Sequence, residues 1–111
     1  QTFGKPIREH QGLQFMLADM AMNLQAARLL TWQSAWMLDS GQKNTLVSSY
    51  AKCFAADMAM KVTTDAVQVF GGYGYMTEQE IERDLRDAVG SSIYSGTSEI
   101  QRNIIASTLG L

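Results

Sequence analysis

Cysteine occurs once in these 111 residues, at Cys53. A disulfide framework within the chain is excluded, and a reducing, intracellular setting is favoured. Histidine also occurs once, at His10. No His, Cys or carboxylate stands near it at ligand spacing, so no metal site is read. No apolar run approaches the roughly 18 residues that a membrane-spanning helix needs. Neither sign of charge predominates: 9 basic against 11 acidic residues leave a net value of −2, which argues against nucleic acid or an anionic membrane as partner. No segment alternates long enough for a strand, and no repeat or low-complexity stretch is visible. Gln1 is not a natural initiator and no signal-peptide pattern follows it, so the chain is expected to be part of a longer protein.

What is present is helical periodicity. Leu13, Leu17, Met20, Leu24, Ala27, Thr31, Ala35 and Leu38 recur every three or four residues. The spacing predicts a helix over about 10–39 with one apolar stripe. Val47, Ala51, Phe54, Met58, Val62, Ala66 and Val69 predict a second helix over about 45–70. Between them Gly41 suits a left-handed C′ position and Asn44 an N-cap. Two long helices joined by so short a turn must run antiparallel, so the expected class is an all-α antiparallel bundle, read as one domain over 1–111. The stripes are expected to converge on Leu17, Met20, Leu24, Phe54, Met58, Val62 and Ile104.

Gly71, Gly72 and Gly74 crowd into four residues and end the second helix, since each glycine costs about 1 kcal/mol relative to alanine in a helix. Thr77 and Glu80 have the spacing of a capping box for a helix over about 78–88, with Ile81, Leu85 and Ala88 inward. Ser98 and Gln101 have the same spacing at the head of a last helix, with Ile100, Ile104 and Thr108 on one face.

Few of these residues carry chemistry on their own. Of the seven methionines, Met16, Met20, Met58 and Met60 lie in or beside the stripes and read as packing. Trp32 and Trp36 sit one turn apart and read as packing or interface residues. Cys53 has no histidine patterned near it and is not read as a catalytic thiol. The charged run from Glu78 to Asp87 reads as a solvated face with i,i+4 pairs such as Glu82–Arg86. Gly71-Gly72-Tyr73-Gly74 follows a helix, unlike the dinucleotide fingerprint, although glycines there let a phosphate approach the backbone. Gly96-Thr97-Ser98 precedes a helix whose unpaired amides suit an anionic or electron-rich ring; taken alone, each of these two is a helix stop and an N-cap.

Taken together, in their order and spacing, the segments resemble the C-terminal helical domain of the acyl-CoA dehydrogenases over nearly the whole chain. The matching stretches are Thr2-Phe3-Gly4-Lys5-Pro6-Ile7 with His10-Gln11, Phe15 to Ala21, Ala51-Lys52, Gln68 to Tyr75 with Glu78, Glu82-Arg83, Arg86-Asp87-Ala88, and Tyr94 with Gly96-Thr97-Ser98-Glu99-Ile100-Gln101-Arg102. The resemblance implies non-covalent FAD and oxidation of an acyl-CoA thioester to the 2-enoyl-CoA, with electrons passed to an electron-transfer flavoprotein. It implies that Thr2, Phe3 and Gln11 lie near the FAD pyrophosphate. Gln68, Val69, Gly71 and Gly72 would touch the ADP half, typically across a subunit boundary. Thr97 and Glu99 would face the flavin or its phosphates from the other side, and Tyr94 and Gly96 would flank the thioester. It further implies a homo- or hetero-oligomer, dimer or tetramer, in a bacterial cytoplasm or the mitochondrial matrix.

Three departures accompany it. Ser95 stands where many members carry the catalytic glutamate, and an unaided serine hydroxyl is too weak a base; some branches place the carboxylate on the preceding helix, upstream of Gln1. Val89-Gly90-Ser91-Ser92 replaces the usual polar-basic lead into the tyrosine. The family's N-terminal helical and middle β-domains are absent from these residues, so 1–111 alone is expected neither to hold FAD nor to be active. Three readings stay open: part of a dehydrogenase whose base lies upstream, a non-catalytic member or subunit serving assembly or FAD binding, and a relative with other flavin chemistry such as an oxidase.

Overall fold

A computed structural model describes residues 1–111, which are helical with no named strand. The helices are α1 (Gln11–Asp39), α2 (Thr45–Phe70), the single turn α3 (Gly72–Tyr75), α4 (Ile81–Ser91) and α5 (Ser98–Thr108). Tight 3₁₀ turns at Ile7–Glu9 and Thr77–Gln79 precede α1 and α4. The all-α antiparallel reading and the limits of both long helices agree with the sequence. α2 is the axis of the molecule: α1, α4 and α5 each pack on it and not on one another. The result is elongated, 55 × 27 × 24 Å with a radius of gyration of 17.1 Å; a compact chain of this length has about 13 Å.

The antiparallel turn is closed by backbone geometry. Gly41 is left-handed at φ 73°, its N–H reaches the Leu38 carbonyl at 3.0 Å, and the Gln42 N–H reaches Met37 at 2.8 Å. This pair of bonds is a Schellman cap. Asn44 departs from its expected role. It caps nothing with its side chain and instead donates Nδ2 to the carbonyl and hydroxyl of buried Ser34, at 3.1 and 3.2 Å. It therefore ties α1 to the start of α2.

Small residues make the tightest contacts: Ala27, Ala51, Cys53, Ala56 and Ala88 are the buried apolar set. Met20, Met58, Val62 and Ile104 are half-buried as expected. Leu17, Leu24 and Phe54 are not core residues; they stay 42%, 47% and 37% exposed. The row that α1 turns toward α2 runs through Leu13, Met16, Met20, Ala27, Ser34 and Met37. Positions 17, 24, 31 and 38 each follow a residue of that row by four, which on a 3.6-residue helix sets them about 40° round from the contact line. α1 is apolar on more than one face, and hydrophobicity alone does not say which face meets α2. On α5 the inward positions are Ser98, Gln101 and Ile105, while Ile100 and Thr108 are exposed.

Both expected capping boxes are replaced. The Thr77 carbonyl takes the Glu80 N–H at 3.3 Å in a 3₁₀ turn. Glu80 is itself left-handed, at φ 60°, and α4 starts only at Ile81. At α5 the cap is Thr97, whose hydroxyl accepts the Ile100 N–H at 3.2 Å. Ser98 and Gln101 thereby turn inward. The glycine stop is sharp at Gly71, φ 61°, but one more turn, α3, follows. Gly74 packs back on α2 there: a Cβ would meet the Val67 carbonyl at 2.7 Å. The expected Glu82–Arg86 pair is absent; the ion pairs are Lys61–Asp65 and Arg102–Asp57. Exposed side chains gain little from pairing and stay solvated.

Candidate functional site

The residues singled out above fall into two clusters at different levels of α2. The first gathers the chain start and the end of α2. Thr2 and Lys5 close a tight turn by reciprocal backbone bonds of 3.0 and 3.2 Å. Its two central residues, Phe3 and Gly4, are left-handed at φ 51° and 77°. That is the geometry of a type I′ turn, normal for glycine and strained for phenylalanine. The Phe3 ring stands 97% exposed, edge-on to His10 with centroids 6.3 Å apart. The sole histidine has a job here: its Nε2 lies 2.8 Å from Thr2 Oγ1. His10 also lines a groove of about 280 Å³ with Gln68 and Val69, so the turn, Gln11 beside His10, and the end of α2 share one end of the molecule. Cβ positions at Gly71 and Gly72 would meet nothing within 4 Å, so their backbone is open to an approaching group.

The second cluster is the Ser91–Thr97 connection and the head of α5. Ser95 and Gly96 are consecutively left-handed, φ 57° and 90°. The loop is fastened at four points. The Ser98 N–H meets the Ser92 carbonyl at 3.2 Å. Gln101 Nε2 meets the Ser95 carbonyl at 3.4 Å. Lys52 Nζ, from α2, donates to the Ser91 carbonyl and, at 3.1 Å, to that of Gly96. Tyr94 lies along Gly90, where a Cβ would stand 3.4 Å from the ring, and the Lys52 ammonium is 5.7 Å from the ring centroid. Thr97, having accepted from Ile100, keeps its hydroxyl proton free to donate. Glu99 is exposed and lines a polar groove of about 400 Å³ with Thr97, Ser98 and Arg102.

α5 is held in register by Asp57 of α2. Its Oδ1 accepts from buried Ser98 at 3.1 Å and its Oδ2 from Arg102 at 2.8 Å. The hydrogen bond to Asp57 holds the Arg102 pKa above its ordinary value. Cys53 is buried beneath, its Sγ 4.0 Å from the Ser98 carbonyl. From Asp57 to Gln68 is 11 residues of α2, so the clusters lie roughly 17 Å apart along its axis at about 1.5 Å per residue. The sequence pattern gave no role at this site to Lys52 or Asp57, and gave Gln101 only that of a capping-box partner. Lys52 and Asp57 lie on α2, on the side facing α4 and α5; the only signal in the sequence was that Lys52 stands in a family-matching stretch, Ala51-Lys52.

The family model for the acyl-CoA dehydrogenase C-terminal domain matches residues 1–110. The chain belongs to that family. It is 49% identical over 106 residues to cyclohexane-1-carbonyl-CoA dehydrogenase of Geobacter metallireducens, covering 96% of this chain and 28% of that protein. Butyryl-CoA dehydrogenase from Megasphaera elsdenii superposes with a TM-score of 0.98 at 43% identity, over 100% of this chain and 29% of that one. The FAD complex of PigA superposes at 0.96 with 35% identity, again over 100% and 29%. The chain thus spans under a third of the length of these relatives. No helix of this acyl-CoA dehydrogenase domain is long and apolar enough to cross a membrane.

Proposed function

We propose that residues 1–111 serve as the C-terminal helical domain of an FAD-dependent acyl-CoA dehydrogenase that oxidises an acyl-CoA thioester to the 2-enoyl-CoA. The observation that carries this reading is where the backbone is strained. Phe3, Glu80 and Ser95 are the non-glycine residues at positive φ. Two of the three stand where the family resemblance implies cofactor and substrate. Strained backbone persists where its surroundings over-determine it, and it concentrates at ligand sites.

The residues present fit FAD. Gly71 and Gly72 leave an unobstructed backbone surface. Thr2 is oriented by His10, and Thr97 offers a free hydroxyl proton at the head of an 11-residue helix. Thr2, Phe3 and Gln11 would lie near the pyrophosphate and Gln68, Val69, Gly71 and Gly72 would touch the ADP half; Thr97 and Glu99 would face the flavin or its phosphates from the other side. The likeness to a FAD complex supports the same cofactor. We read the two clusters, roughly 17 Å apart, as serving a cofactor shared across a subunit boundary, each chain giving its two clusters to two different sites. A dimer or tetramer follows from this reading. Electrons would pass on to an electron-transfer flavoprotein, in a bacterial cytoplasm or the mitochondrial matrix.

When bound, FAD supplies the acceptor for the β-hydride. The chain's own residues hold the other partner. Tyr94 and Gly96 flank the thioester, and Ser95, exposed on the same loop, presents a neutral hydroxyl where the α-proton must leave. That hydroxyl is no base near neutral pH, so a carboxylate outside 1–111 would take the proton. Ser95 also favours a second reading, a non-catalytic member that serves assembly or FAD binding. One experiment separates the two: mix the FAD-loaded full-length protein anaerobically with saturated acyl-CoAs and follow the flavin absorbance. Bleaching with one of them supports the dehydrogenase. Bound FAD that no acyl-CoA reduces supports the second reading.

A further inference from the structure

We propose that Lys52 is the positioning residue of the thioester-flanking loop: one ammonium on α2 ties both ends of the Ser91–Gly96 segment and fixes the backbone that presents Tyr94, Ser95 and Gly96. The inference rests on the reading above for what the loop presents, but the clamp itself is read from geometry. Nζ donates to the carbonyls of Ser91 and Gly96, residues that bracket the loop. An ammonium has three donors in a tetrahedral array, and bonds from it to neutral acceptors are strengthened by its charge. Two donors are taken by carbonyls, and the cation stands 5.7 Å from the Tyr94 ring centroid, within reach of the attraction between a cation and an aromatic face.

The loop needs such a tie. Ser95 and Gly96 are both left-handed, and for serine that conformation is unfavourable without outside support. The carbonyls of Ser91 and Gly96 have no other side-chain donor. Tyr94 lies along Gly90, where a Cβ would stand in ordinary contact with the ring, 3.4 Å away. Lys52 is half-buried and its helix is the axis of the fold, so the anchor moves less than the loop it holds. Gln101 supports the middle of the loop through the Ser95 carbonyl, but from α5, the element that the loop itself leads into. Lys52 alone connects the loop to an independent helix.

The test uses the full-length holoprotein and two readouts, amide hydrogen exchange over residues 91–98 and the limiting rate of flavin reduction by a substrate that bleaches the wild type. Lys52→Met should raise exchange in 91–98 at least tenfold while exchange in α1 and the FAD-to-protein ratio stay at wild-type values. The limiting reduction rate should fall at least tenfold. Unchanged exchange overturns the clamp. Faster exchange with an unchanged rate overturns the positioning role. A rate that falls only in proportion to lost FAD overturns it as well. Lys52→Gln keeps an uncharged donor group, the amide NH2, and half of the aliphatic stem, and carries the test if Lys52→Met does not fold. It should give smaller changes in the same directions, and wild-type values in both readouts count against the proposal. A wild-type holoprotein that no acyl-CoA reduces overturns the dehydrogenase reading instead, and the exchange comparison still decides whether Lys52 fastens the loop.

Discussion

Asp57 and Ser98 meet across the α2–α5 boundary, the serine hydroxyl donating to the carboxylate at 3.1 Å. Ser98 is only 6% exposed, so its hydroxyl has no water to fall back on. The same carboxylate takes Arg102 and thereby sets the rotation of α5, which aims Thr97 and Glu99.

Asp57→Ala should destabilise the fold by about 1–3 kcal/mol, the usual cost of leaving a buried hydroxyl unpaired. Asp57→Asn keeps an acceptor for Ser98 and should cost less. Chemical denaturation of both variants checks the order; equal losses would mean that the serine contributes nothing.

Gly72→Leu should fold normally and bind less FAD in the holoprotein. Its Cβ would meet no protein atom, so the added side chain fills only the space open to the cofactor. Gly74→Ala should do the reverse and lower the melting temperature, because its Cβ would meet the Val67 carbonyl at 2.7 Å. An unchanged FAD-to-protein ratio in Gly72→Leu refutes the cofactor assignment.

Ser95→Ala in the holoprotein should leave flavin reduction within about tenfold of wild type, far from the loss expected when a base is removed. Ser95→Gly should stabilise the loop, since φ 57° carries no penalty for glycine. Stopped-flow absorbance and thermal unfolding measure the two effects. Loss of reduction in Ser95→Ala with substrate still bound would give the hydroxyl a chemical role.

The 111-residue chain alone should self-associate. Phe15, Met22, Leu29 and Trp36 recur every seven residues along the outer face of α1, between 53% and 64% exposed, and Trp32 stands beside them at 60%. So large an apolar row is rarely left to water. Light scattering at tens of micromolar should show oligomers, and Trp32→Glu with Trp36→Glu should reduce them. A clean monomer of the unmodified chain contradicts the prediction.

The Lys61–Asp65 pair should give stability no pH dependence between about 5 and 8. Its hydrogen bond raises the Lys61 pKa above the ordinary lysine value. A raised pKa contributes stability that is complete below the unfolded value and is lost only as pH rises through the folded one, hence only in strong alkali. Melting curves of wild type and Lys61→Met should therefore run parallel across that range.

Helix limits were legible because apolar spacing and turn glycines are local signals, and Gln11–Asp39 and Thr45–Phe70 match their stripes. Cap details were less so. Thr77 and Glu80 have capping-box spacing, yet a 3₁₀ turn consumes the same groups. The roles of Lys52 and Asp57 left no trace in spacing. Lys52 bonds backbone carbonyls 39 and 44 residues away, and any residue there would supply a carbonyl.

By itself the sequence determined the family, the all-α class and the order of the helices, because motif residues and periodicity survive without any knowledge of long-range contacts. Only the tertiary structure decided which of the apolar faces of α1 meets α2 and that the candidate residues divide into two clusters. It also decided that the Ser95 loop hangs from an ammonium on α2. The physical reason is the same in each case: rotation about a helix axis and contacts between distant elements depend on close packing in three dimensions, which many apolar patterns satisfy equally well.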